Sequence, residues 1–273
     1  MIKILKILFK IKLRINNLKK KKIVILDPVN SFYLHKVLSK YDHTFLTTRH
    51  EEVNIYIFII TLFNCRLNQE LTFYQKYLIN YINILNPKII ISCTSHDVLF
   101  LSLKKFFPNK IIIAIQHASL SALTLNNILT NKKDSKKFNI DYVCVFGTHG
   151  KFFYSKFINA KKFLITGSIK NNLFKKNKNI NNTIAYLSQF RLNTDKKMRV
   201  INTKKYEKFF FENLKKYCKN KKYKLSVISS NIKNLKKEKF YYDKIIGKEN
   251  YQFLYKKEWS SSYKYSLKYD YFI

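Results

Sequence analysis

The chain is 273 residues long, with 47 % hydrophobic and 16 % aromatic residues, enough apolar material for one large or two ordinary cores and too much for a disordered chain. Its 53 Lys and Arg against 16 Asp and Glu give a formal charge of +37, which by itself would point to a polyanionic partner such as nucleic acid or acidic lipid. The abundance of Lys, Asn, Ile, Tyr and Phe beside scarce Gly, Pro and Ala is also what an AT-rich coding sequence produces, and the basic residues are spread along the whole chain, so nucleic acid is an unlikely partner.

In chain order, residues 1–21 come first. Ile4, Leu8, Ile11, Ile15 and Leu18 recur at helical period, with Lys3, Lys6, Lys10 and Arg14 on a flank, the pattern of a basic amphipathic helix. It would lie in an anionic membrane interface or pack on the neighbouring sheet. The run from Lys22 to Asp27, then Pro28, reads as a buried parallel strand, with Ser31 placed to cap a following helix. Short strands are expected near 44–46 and, more strongly, over 54–60. A helix over 69–85 is closed by Pro87, a strand covers 88–92, and a helix over 96–107 capped by Ser95 ends at Pro108. Strands at 110–115, 142–146 and 163–166 follow, with a helix over 151–158 between the last two. The Asn- and Lys-rich residues 171–182 read as a linker. Beyond it the pattern gives a strand over 183–188, a helix over 206–217 and a strand over 224–229, with no further complete unit visible.

Strands alternating with helices of this length predict an α/β protein with a doubly wound parallel sheet. Ligands of such sheets sit beyond the carboxyl ends of the strands, where strand order reverses. That rule puts Asp27, the segment Cys93 to His96, Gln116 and His117, Gly147 to His149, and Gly167 and Ser168 on a common rim. Three of the four glycines, Gly147, Gly150 and Gly167, fall in this stretch, each just past a β-branched or aromatic run, where the chain turns sharply or approaches a ligand closely.

The four cysteines have no paired spacing, so neither a zinc site nor a disulfide framework is expected and a reducing cytoplasm is the expected compartment. No stretch of about 18 uninterrupted apolar residues is present to span a bilayer. No metal and no bound cofactor is expected, since a paired carboxylate motif is missing from the strand ends. His96 and Asp97 after Cys93 read as part of a polar helix cap. The aromatic and lysine residues interleaved over 240–271 read either as a core-facing stripe or as a single-strand nucleic-acid platform.

The blocks from Ile113 to His117, Asp141 to Gly147 and Ile165 to Asn172, in that order, resemble a family of bacterial surface carbohydrate biosynthesis proteins. The opening Val24 to Pro28, the segment Leu187 to Arg191, and Glu238 to Tyr242 leading to Ser262, Tyr263 and Lys264 match as well. These proteins look like glycosyltransferases with two Rossmann-like domains of GT-B type, and more distantly like CDP-glycerol glycerophosphotransferases. The resemblance implies a Rossmann-like domain over 22–170 and a second over 183–273, the second incomplete, as in a C-terminally truncated member.

It further implies a transferase of surface polysaccharide assembly (capsule or lipopolysaccharide), cytoplasmic or peripheral on the inner face of the membrane. A sugar or alditol phosphate would pass from a nucleotide-activated donor to a glycan or lipid-linked acceptor. His117 or His149 would be the general base, the alternative for each being a loop hydrogen bond. Gln116, Gly147, Gly167, Ser168, Asn171, Asn172, Ser188 and Arg191 would bind substrate. Gly147 and Gly167 would open helix N-termini to phosphate, and Arg191 would fork onto phosphate. The competing readings are a non-catalytic basic protein binding membrane or nucleic acid, and an inactive truncated remnant.

Overall fold

The computed structural model describes residues 12–15, 18–47, 52–63, 71–95, 97–117, 137–174, 180–190, 203–230, 234–257, 264–265 and 267–273. Contacts gather the chain into two compact units, Met1–Lys170 and Asn171–Ile273. The strands of the first are β1 (Lys12–Arg14), β2 (Ile23–Leu26), β3 (His43–Leu46), β4 (Glu52–Asn54), β5 (Ile89–Ser92), β6 (Ile111–Ile115), β7 (Phe138–Val145) and β8 (Ile158–Ile165). Its helices are α1 (Pro28–Ser31), α2 (Leu34–Val37), α3 (Ile55–Phe63), α4 (Phe73–Leu85), α5 (Val98–Phe106), α6 (Thr148–Tyr154) and α7 (Ile169–Asn172), the last crossing the division between the units.

Six of these strands form one sheet in the order β3-β2-β5-β6-β7-β8. Every pairing in it is parallel. All four residues of β2 are buried, as a strand covered by helices on both faces requires. Its core joins β2, β5, β6 and β7 to α4, α5 and α6 through side chains such as Leu78, Ile82, Phe100, Leu103, Val143 and Tyr154. The chain steps outward from β2 to β3, returns past β2 to β5, then runs on to β8. Strand order therefore reverses between β2 and β5.

Several expected elements hold and several change. A capping box of Thr72 and Gln75 starts α4, which ends at Asn86 in the left-handed region (φ 44°), just before Pro87. Asp97, and not Ser95, caps α5, its carboxylate accepting from Leu99 N at 2.9 Å. Ser31 caps nothing: its hydroxyl donates back to the carbonyls of Asp27 and Leu26. The helix expected over 151–158 begins at Thr148 and ends at Tyr154, where β8 claims Ile158.

The amphipathic helix expected over 1–21 does not continue through 12–14. Those residues form β1, parallel to β4, with Arg14 bridged to Glu52 at 2.6 Å, so a cross-strand partner overrides local helical spacing. Residues 1–11 lie outside the described set. The strand expected over 54–60 is also corrected, because Ile55–Phe63 is helical. Asn54 Oδ1 accepts from Ile57 N at 3.2 Å, Thr61 donates back to the Ile57 carbonyl, and the helix docks on α4 through Ile57 and Thr61. An end cap and a buried stripe outweigh the strand preference of a β-branched run.

The second unit holds β9 (Ile180–Leu187), α8 (Thr203–Lys221), β10 (Lys224–Ile228), α9 (Leu235–Ile246), β11 (Gln252–Leu254) and β12 (Tyr269–Phe272). Its sheet runs β11-β10-β9-β12, all parallel, which is the 3-2-1-4 order of a Rossmann half. Two expectations change here. The stretch 171–182 is no uniform linker, since α7 occupies its start and β9 begins at Ile180. A further helix and two strands follow β10, and Tyr242 on α9 is a fully buried core residue. Their apolar residues are spaced among lysines too densely for the periodicity to stand out.

Candidate functional site

The parallel registers bring the tips of β2, β5, β6, β7 and β8 to one edge of the first sheet. Backbone bonds pin the neighbouring tips: Gln116 N donates to Cys144 O at 2.9 Å and Thr166 N to Val145 O at 3.0 Å. Gln116 and His117, Gly147 to His149, and Gly167 and Ser168 thus follow three adjacent strands along one rim.

Chemistry is densest where strand order reverses. Asp27, at the end of β2, is buried and left-handed (φ 57°), and Thr94, beyond the end of β5, donates to its Oδ2 at 2.7 Å. Tyr33 reaches from the turn after α1 to place its hydroxyl 3.1 Å from Cys93 Sγ. Burial pushes the Cys93 thiol up to about 12, despite the Tyr33 bond and the nearby Lys170 charge, so it packs as an inert thiol. His96 lies outside the described residues. Ser95 shares a 2.5 Å hydrogen bond with Tyr154 of α6, whose hydroxyl burial raises to about 12.

Lys170, on α7 just beyond Gly167, closes the cluster from the β8 side. Its ammonium sits 5.3 Å from the centre of the Tyr33 ring, a cation–π contact. Half-burial lowers its pKa, partly offset by Cys93. Ordinary desolvation therefore makes this cation a candidate for an anionic ligand. The sequence placed Asp27 and Thr94 on the ligand rim without naming them as binding residues, and it pointed to neither Tyr33 nor Lys170. The acidic strand end at Asp27 and the lysine inside the Gly167 to Asn172 block were the available signals.

The expected residues fall into distinct settings. Gln116 is buried and its Oε1 accepts from Phe146 N at 2.9 Å. A Cβ on Gly150 would come within 2.7 Å of the same oxygen, so Gly150 makes room for the carboxamide that ties β6 to the turn after β7. His117 is half-buried at the tip of β6. His149 is exposed in the first turn of α6, its ring 6.3 Å from Phe153. Gly147 is extended (φ −172°), and a Cβ there would meet nothing within 4 Å. Its turn does not require glycine, which leaves close approach of a ligand as the remaining reason for the residue. Gly167, at φ 66°, does require the left-handed region. The helices after these glycines, α6 and α7, are seven and four residues long. Ser168 is half-buried, while Asn171 and Asn172 are exposed on α7.

In the second unit Ser188 is buried, accepting from Phe190 N at 3.1 Å and sharing a 3.0 Å bond with the Tyr242 hydroxyl. The hydroxyls of Tyr186, Tyr241 and Tyr242 all reach the Glu207 carboxylate at 2.7–2.9 Å. Arg191 lies outside the described residues. Asp141, which opens the Asp141 to Gly147 block, is structural. Only 2 % of its side chain is exposed, and it takes bonds from Lys104 (2.7 Å), Lys161 (2.8 Å) and the Ile112 amide (2.9 Å). Burial would raise its pKa, but those donors outweigh it and hold the carboxyl below its ordinary value.

Among the described residues no cluster of three or more His, Cys, Asp or Glu could hold a metal ion, and no helix is long and apolar enough to cross a membrane.

A family model described as "putative O-antigen biosynthesis protein" matches residues 114–271, more than half of the chain. No curated protein matches. Among solved structures, the crystal structure of Anabaena Alr3699/HepE in complex with UDP-glucose is similar over 94 % of this chain and 73 % of its own, with 10 % identity and a TM-score of 0.48.

Proposed function

The chain belongs to this O-antigen biosynthesis family, and from that membership we propose that it is a glycosyltransferase-like enzyme of surface polysaccharide assembly, working at the carboxyl rim of its first sheet. Its substrate class is a nucleotide-activated sugar or alditol, transferred to a glycan or lipid-linked hydroxyl. The observation that carries the reading is the reversal of strand order at Asp27 and Thr94, on the same rim as His117, Gly167 and the half-buried Lys170.

In this mechanism His117 takes the proton of the acceptor hydroxyl as its oxygen attacks the donor. The new bond forms to the sugar carbon, or to phosphorus for an alditol phosphate, while the bond to the leaving phosphate breaks. Lys170 offsets the charge that builds on that phosphate, in a setting where a desolvated cation counts for more than in water. Ser168, Asn171 and Asn172 offer hydroxyl and amide groups to the transferred moiety. His149, the alternative base, sits exposed one strand further along the rim.

The test is release of nucleotide from a panel of nucleotide-activated sugars by the full-length protein, with donor binding followed by calorimetry. His117→Gln is expected to slow turnover by roughly 10²–10⁴-fold, the scale of one general base, with donor affinity kept. Lys170→Met is expected to weaken donor binding by about tenfold, the scale of one charge-assisted contact to phosphate. Because the folded pKa of Lys170 is lowered, donor affinity should fall as pH rises through that value, sooner than for an ordinary lysine. Turnover indifferent to both substitutions would overturn the reading.

A further inference from the structure

Helix α3 contains no charged residue and only two hydroxyls, those of Tyr56 and Thr61. A helix apolar on every side is normally buried on every side. Here only Ile57 and Thr61 are buried, whereas Tyr56, Phe58, Ile59, Leu62 and Phe63 are exposed, Phe63 at 82 %. Helical spacing sets Tyr56, Ile59 and Phe63 in one row and Phe58 with Leu62 in the next. The helix holds to its domain by one narrow stripe, where Asn80 also donates to Thr61 at 3.2 Å, and by the edge-on contact of Phe58 with Phe73 of α4 at 5.3 Å.

Strand β1 lies at the root of that helix. Its Arg14 pairs in register with Asn54, the residue whose side chain caps α3. Leu13 and Ile15 are exposed at 67 % and 82 %. Seven large apolar side chains in these adjoining elements make a surface on the scale that marks an interaction site instead of ordinary scatter.

The charges nearby are mostly basic. Lys12 and Arg14 are exposed, and the sole acid of residues 12–15 and 52–63 is Glu52, already bridged to Arg14. The sequence leading into β1 adds Lys3, Lys6 and Lys10 among Ile2, Ile4, Leu5, Ile7, Leu8 and Phe9.

We infer that α3 and β1 form a docking face for an anionic lipid surface. The aromatic and aliphatic side chains of α3 enter the boundary between headgroups and acyl chains, and the flanking cations meet headgroup phosphates. A second copy of the chain is a poorer occupant, because an isologous contact would set Lys12 and Arg14 against their own equivalents. The inference does not rest on the catalytic reading, since the face uses none of the rim residues.

The experiment is co-sedimentation of the full chain with phosphatidylcholine vesicles, with and without phosphatidylglycerol. The chain should sediment with the anionic vesicles and be released by salt. The double variant Ile59→Asp, Phe63→Asp should bind at least about tenfold more weakly, the loss expected when apolar contact with the bilayer is removed, with unchanged circular dichroism and urea midpoint. Phe63→Trp in a Trp259→Phe background supplies an independent reading, a blue shift of emission on adding anionic vesicles. Four results would overturn the inference: no sedimentation of the parent chain, undiminished binding by the double variant, loss of a dimer in that variant, or no spectral shift at position 63.

Discussion

The carboxyl rims of the two sheets occupy equivalent places in the same kind of fold, yet their polar groups are disposed differently. In the second unit much of the rim is taken up by its own core: Ser188 is tied to Tyr242 and Phe190, Glu207 gathers three tyrosine hydroxyls, and Glu238 Oε1 takes both the amide and the hydroxyl of Ser230, while its buried Oε2 has no partner among the described residues. In the first unit the deep groups are bonded, as Asp27 is to Thr94. On the same rim His117, Ser168 and Lys170 are half-buried. Position at a strand tip thus identifies candidates, and burial decides which of them a ligand could reach.

The strongest way to break this comparison is at Asp141, the one residue of the Asp141 to Gly147 block assigned wholly to structure. Asp141→Asn should destabilise the first unit by about 1–3 kcal/mol, the cost of weakening the bonds that a buried carboxylate takes from the half-buried Lys104 and the Ile112 amide. The measure is urea unfolding. Unfolded, the carboxyl titrates near its ordinary 3.8, and folded it titrates lower. Its stabilisation is therefore complete above the unfolded value and lost as pH falls through the folded one. The Asn variant should show a shallower acid limb, and an unchanged limb would mean that these ion pairs do not hold the unit together.

In the second unit the matching change is Tyr242→Phe, which strips a hydrogen-bond partner from both Ser188 and Glu207. It should cost about 1–3 kcal/mol, the penalty for leaving buried partners unsatisfied. At temperatures where the variant is folded, donor turnover should stay at the parental level. A selective loss of turnover would mean that this rim does more than hold its unit together.

The smallest expected effect compares two glycines on the first rim. Gly167→Ala places a side chain at φ 66° and should cost about 1 kcal/mol. Gly147→Ala meets open space in extended backbone and should leave the melting temperature unchanged. If Gly147→Ala nevertheless weakens donor binding, a ligand approaches that backbone closely. If both variants melt alike, the left-handed turn at Gly167 is not what glycine is needed for.

Much of the first sheet was legible because each strand is a short β-branched run ended by a polar residue or a glycine, and the intervening helices carry their own caps, as Thr72 and Gln75 do. The rim could be written down from those endings. What escaped was non-local. Residues 55–63 carry the composition of a strand, and only the Asn54 cap and the contact with α4 make them a helix. Residues 12–14 have helical spacing, but a partner about forty positions away makes them a strand. Lys170 reads as the last residue before a polar linker until Tyr33, more than a hundred residues earlier, is found beneath its ammonium.

The residues on their own determine that this is an α/β chain of alternating units with polar strand tips, because side-chain period and turn chemistry act over a few neighbouring positions. Only the tertiary structure decides that strand order reverses between β2 and β5, which brings Asp27 to Thr94, and that α3 keeps its apolar rows outward. Strand order and burial depend on which distant surfaces exclude water from one another, and no local pattern encodes that choice.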